Sequence, residues 1–126
     1  MNSTFTKILR IILGLGLLFF GLSKLLHFKI MPTHIYTGEA AIFIDSLSNT
    51  GYILYVVGIF EIFIGALLLF NKWVPFALLL LAPITVNILL FHIFLDTPGL
   101  IAALVIVVLN VILIYKHWKV YRPLFI

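Results

Sequence analysis

With 126 residues, 64% apolar and 10% charged, the chain departs from soluble domains, where about a quarter of residues are charged, and reads as an integral membrane protein. It has no cysteine, which excludes thiol–disulfide chemistry, thiolate metal sites and iron–sulfur clusters carried by this chain. The net charge of +4 is assigned to basic residues that flank membrane spans and set topology, not to a nucleic-acid surface.

The first span is expected over about Ile8 to Leu26. Its basic flank and apolar centre also suit a signal peptide, but Gly21-Leu22-Ser23 runs straight into Lys24 and Leu25 with no small-x-small cleavage site, so retention is expected. A long connection, His27 to Gly51, follows. Within it Glu39 to Leu47 has the pattern of a short amphipathic helix on the outer surface, with a plain connector as the other reading. The second span, Tyr52 to Phe70, is a nineteen-residue run, YILYVVGIFEIFIGALLLF, whose one charge is Glu61 at its centre. Asn71-Lys72-Trp73 makes a tight connection and Pro75 opens the next helix. The third span, Val74 to Leu95, carries Pro83. Asp96-Thr97-Pro98-Gly99 is a turn, and the fourth span runs from Leu100 to Tyr115. The expected fold is therefore all-α. It is an integral membrane four-helix bundle, one domain over residues 1–126, with a short extracytoplasmic amphipathic segment between spans one and two.

Four spans put both termini on one side. That side collects Lys7, Arg10, Lys72, Lys116, Lys119 and Arg122, six of the eight basic residues, against Lys24 and Lys29 on the other. The positive-inside rule then places both termini in the cytoplasm.

The polar residues inside the spans share a level. Counted from the outer span ends at 1.5 Å per residue, Glu61 and Asn87 lie about 13 Å deep and Asn110 about 15 Å. Lys24 and His92 lie nearer the outer surface. A mid-span carboxylate costs about 2.5–3.5 kcal/mol on insertion scales, so Glu61 is expected to face the bundle interior and find a partner. Arg10, Gly14, Leu17, Gly21 and Lys24 form one stripe of the first span, and Gly58, Glu61 and Gly65 one stripe of the second. Glycine stripes mark close helix interfaces, so both polar sets are placed inward. Lys24, Glu61, Asn87, His92 and Asn110 are thus the candidate ligand pocket, with a Lys24–Glu61 contact, direct or water-bridged, expected within it.

Each residue also has a plainer reading: Glu61 as a structural, protonated group hydrogen-bonded to an amide, Lys24 snorkelling to the interface, Asn87 and Asn110 as interhelical glue, Pro83 as a kink, His92 as an interfacial residue with Asp96 one turn on. His27 with His92 is a candidate axial pair for a haem, but nothing else in the sequence points to a cofactor. His27, His34 and Glu39 match no metal-ligand spacing, so no metal is expected. No phosphate-cradling loop, nucleophile elbow or nucleic-acid motif occurs, and the catalytic residues, if any, stay unassigned.

Three segments carry a resemblance: Arg10-Ile-Ile-Leu-Gly14 to Gly21-Leu-Ser-Lys24, Val57-Gly58-Ile-Phe-Glu61-Ile-Phe-Ile-Gly65, and Ala82-Pro83-Ile-Thr-Val-Asn87 to Phe91-His92. In order and spacing they resemble the DoxX family, over nearly the whole chain. The resemblance implies a four-helix protein of the bacterial inner membrane. Family members are linked to quinone-coupled sulfur oxidation and to membrane oxidoreductase complexes that handle oxidative stress; related animal proteins look more like assembly factors or cargo receptors. Two functions are therefore carried forward. One is a membrane subunit of a redox-linked system that binds a quinone-like or other small amphipathic molecule in the outer-leaflet pocket, any thiol step residing in a partner protein of such a complex. The other is a non-catalytic assembly factor or a lipid- or protein-binding module. Either fits a subunit or binding protein better than a complete enzyme. No covalent cofactor is expected, the bilayer is the sure partner, and a homo-oligomer stays open.

Overall fold

The computed structural model describes residues 3–26 and 37–126; His27, Lys29 and His34, weighed above, lie outside them. Helix α1 (Thr4–Leu25) starts at Ser3, whose hydroxyl oxygen accepts the Thr6 N–H at 3.1 Å and so caps the first turn. It is followed by α2 (Gly38–Asn49), α3 (Ile53–Leu69), α4 (Val74–Phe94) and α5 (Leu100–Lys116), then a short α6 (Trp118–Tyr121). Among the described residues there is no strand. Helices α1, α3, α4 and α5 lie within a few residues of the four stretches expected as spans.

Helices α1 and α4, and the stretch Thr97–Lys116 that contains α5, are each long and apolar enough to cross a membrane. Helix α3, with 17 residues, reaches about 25 Å, at the short end of the crossing range. The surface agrees with lipid as the solvent: Phe19, Ile59, Leu79, Ile101 and Val108 all stand exposed along the spans. The interior is a column of Leu13, Leu17, Ile64, Leu68, Leu78, Leu81 and Leu113.

Helix α2 meets α3 at 89°, so it lies across the end of the bundle. This is the amphipathic segment expected over Glu39 to Leu47. Its Ala40 is buried, and the Phe43 ring sits 5.4 Å from that of Phe91 on α4.

At the other end, the face where α1 and α4 begin, helix α3 stops in a six-residue C-cap. Asn71, at φ 56, turns the chain; the Lys72 N–H bonds Leu67 O at 2.9 Å and the Asn71 N–H bonds Leu68 O at 3.3 Å. Arg10 of α1 completes this end: its guanidinium donates to Leu68 O and approaches Leu69 O at 3.5 Å. A cation over the last carbonyls also opposes the negative end of the α3 dipole. Arg10 owes its place to the stripe identified in the sequence, but that reading assigned it no partner.

Helix α6 folds back onto the same face. Tyr121 is buried and its hydroxyl donates to Pro75 O at 2.6 Å, while burial pushes its phenol up to about 12. Because the folded value lies above the ordinary one of about 10, the neutral phenol stabilises the fold fully below about pH 10, and this is lost as pH rises through about 12. Tyr121→Phe should therefore lower stability by about 1 kcal/mol at neutral pH and flatten this alkaline dependence, read from melting temperatures between pH 8 and 12.

Candidate functional site

The site begins with the α1–α3 seam. A Cβ added at Gly21 would lie 2.7 Å from Gly58 O, and one at Gly58 would lie 3.0 Å from Gly21 O. One turn pair away the same reciprocity holds: Gly65 faces Gly14 O at 2.8 Å and Gly14 faces Gly65 O at 3.1 Å. Glycine therefore meets glycine across two antiparallel helices. The seven-residue spacing shared by both spans is a property of this contact, since each partner must repeat at the same interval.

Seating the backbones this close brings Lys24 and Glu61 together, Nζ to Oε1 at 2.8 Å. In seam register Lys24 lies opposite Tyr55, so Glu61 is about 9 Å deeper along α3. Cα–Cβ bonds tilt toward a helix N-terminus. Helix α1 rises toward Lys24, so its side chain leans down into the bundle; α3 descends from Ile53, so Glu61 leans up. The antiparallel order thus aims the two side chains at each other, and the stems close the gap.

Glu61 is fully buried, whereas the Lys24 side chain keeps 20% exposure. The contact is an ion pair, and apart from Lys24 neither Glu61 oxygen has a partner among the described residues. Lys24 Nζ also stands 5.9 Å from the centre of the Phe20 ring, on the lipid side. The pair therefore joins a partly exposed cation, with the Phe20 ring beside it, to a buried anion.

The remaining candidates fall into three places. Asn110 is buried on α5, where its carbonyl accepts the Thr85 hydroxyl at 3.0 Å and its amide donates to Leu78 O at 3.2 Å. This is a bridge between α4 and α5, the glue reading of Asn110. Thr85, not among the candidate residues, lies on the buried Ala77, Leu78, Leu81 stripe of α4. That stripe was the available signal.

Asn87 is not drawn into the group. Two residues from Thr85 it is turned to the opposite side of α4; it is exposed and bonds Pro83 O of its own helix at 3.0 Å. The expectation that Asn87 lines a cavity shared with Glu61 is therefore corrected: equal depth does not set rotation about the helix axis.

His92 pairs with Asp96, as the one-turn spacing suggested. Its Nδ1 lies 3.0 Å from Asp96 Oδ2 and 3.2 Å from Asp96 O. Both are acceptors, so Nδ1 is the nitrogen that donates toward Asp96. Gly99 permits this closeness: a Cβ there would fall 2.6 Å from Asp96 Oδ2 and from His92 Cε1. His92 thus belongs to the α4–α5 turn, with Phe91 beside it carrying α2 through Phe43.

A family model described as DoxX matches residues 5–94, from α1 to the end of α4, and so takes in both members of the ion pair. No curated protein and no solved structure matches the chain.

Proposed function

The chain belongs to the DoxX family of multi-pass membrane proteins, and on that premise we propose that it is a membrane subunit of a redox-linked system. It receives a quinone-like or other small carbonyl-bearing amphipath at the Lys24–Glu61 pair. The observation that carries this reading is the pair itself: Lys24 keeps 20% exposure while Glu61 is closed off, with no partner for its carboxylate other than Lys24 among the described residues. Lys24 donates to a carbonyl oxygen of the incoming ring, Phe20 and the exposed apolar surface of the spans take the ring and tail, and Glu61 exchanges the proton. Electrons reach the ligand from a partner protein; a thiol reductant would have to be the partner's, since this chain has no cysteine.

A non-catalytic binding or assembly role would need a surface other than the glycine faces, because these are closed against each other. The host is the bacterial inner membrane with both termini in the cytoplasm, a placement supported by the six basic residues on that side. A reporter fused after Ile126 should give a cytoplasmic signal; a periplasmic one contradicts the orientation.

Titration of the purified protein with a short-chain ubiquinone analogue, followed by calorimetry, tests the site. Wild type should bind saturably. Lys24→Met should weaken binding about tenfold to a hundredfold through loss of a charged donor, while Glu61→Gln, which keeps shape and hydrogen bonding, should stay within a few-fold. No saturable binding, or undiminished binding by Lys24→Met, contradicts the proposal.

A further inference from the structure

Asn87 is the exception to the apolar outer surface of α4. Seven residues from the end of the helix at Phe94, it stands about 10 Å below that end, inside the hydrocarbon layer. It is exposed, and its side-chain bond from Nδ2 to Pro83 O at 3.0 Å uses a single amide hydrogen. The second amide hydrogen and the side-chain oxygen have no bond among the described residues. Lipid tails offer neither donor nor acceptor, and each unmet group costs several kcal/mol there.

The surroundings have the form of a helix-packing seam. Phe76, Leu80, Pro83, Asn87, Leu90 and Phe94 recur at alternating steps of four and three along α4, and all but Leu80 are exposed. This is the heptad pattern of two helices in contact, with a polar residue in place of one core residue. A single Asn at such a position sets register and partner number in paired helices.

We propose that this stripe is a homodimer interface, in which Asn87 hydrogen-bonds reciprocally with the partner's Asn87. Two features favour a second copy. Two copies inserted with the same orientation are related by a two-fold axis along the membrane normal, so each α4 residue near the axis meets its own equivalent at equal depth. The carboxamide is self-complementary, so N–H of one copy meets C=O of the other in both directions, which answers the two groups left over after the Pro83 bond. This surface lies on α4, away from the α1–α3 seam, and is independent of the ligand proposed above.

The absence of native cysteine makes the test direct. Single-cysteine variants Leu90→Cys on the stripe and Ile101→Cys on the lipid-facing side of α5 are oxidised in membranes at low protein density. Leu90→Cys should give a disulfide-linked species of twice the 14.3 kDa chain mass, and Ile101→Cys little. Adding Asn87→Leu to Leu90→Cys should weaken association about tenfold, whereas Asn87→Gln should preserve most of it. Asn87→Leu places an apolar group toward lipid, so its melting temperature should be unchanged, which separates lost pairing from lost folding. The proposal is overturned by equal cross-linking at both positions, by a Leu90→Cys adduct to a chain of another mass, or by cross-linking that ignores Asn87→Leu.

Discussion

Lys24→Met should destabilise the protein by about 3–5 kcal/mol, more than Glu61→Ala and more than the double substitution. The order follows from the unequal burial of the two groups. Removing the lysine leaves a carboxyl that is fully buried and has no hydrogen-bond partner among the described residues. Removing the glutamate leaves a lysine near the end of α1 with 20% of its side chain already exposed, and its stem can withdraw to the interface. With both removed, no charge is stranded. The coupling between the two sites should be about 1–3 kcal/mol, above the roughly 0.6 kcal/mol of an ordinary interhelical hydrogen bond in a membrane. Thermal melting in mild detergent reads all three variants. Additive losses would show that the residues are uncoupled, and that Lys24 is only an interfacial anchor.

The second large effect is expected at Gly21→Ala. The new methyl would lie 2.7 Å from both Gly58 O and Ile62 Cγ1, and 3.1 Å from the Ile62 backbone nitrogen. Two of these are backbone atoms, so rotamer changes cannot relieve the contact and α1 must move off α3. Overpacking of this kind costs about 1–3 kcal/mol, and more where a helix has to shift. Lys24 lies one turn on, so the same movement draws it away from Glu61. Ligand affinity should therefore fall together with stability. Gly16→Ala is the matched control: its nearest neighbour would be Ile106 Cδ1 at 3.8 Å, an ordinary contact, and stability should change by less than about 0.5 kcal/mol. Equal melting temperatures for the two variants would remove the seam from the account of the ion pair.

These two expectations rest on features that were legible in the sequence to different degrees. The spans and the inward stripes follow from apolar run length and from three-four spacing, which survive without knowledge of tertiary contacts. The Lys24–Glu61 contact was expected from the two stripes, and the tilt of side chains on antiparallel α1 and α3 explains how an offset of about 9 Å is closed. Depth was a poorer guide for the asparagines. Asn87 and Glu61 share a level, but level is one coordinate and rotation about the helix is another. On α4 the inward rotation belongs to Leu78, Leu81 and Thr85, so Asn87 is carried outward. Arg10 was visible on the right stripe, yet its role depends on where α3 ends, and that is fixed by the Asn71 turn.

Mass spectrometry of the small molecules that copurify with the protein in mild detergent reads what occupies the ion pair in the cell. Wild type is expected to carry a quinone or a chemically similar carbonyl-bearing lipid at a substantial fraction of one per site. Lys24→Met with Glu61→Gln should carry far less under the same extraction. Equal amounts on both proteins, or none on wild type, would mean that the Lys24–Glu61 pair holds no such ligand.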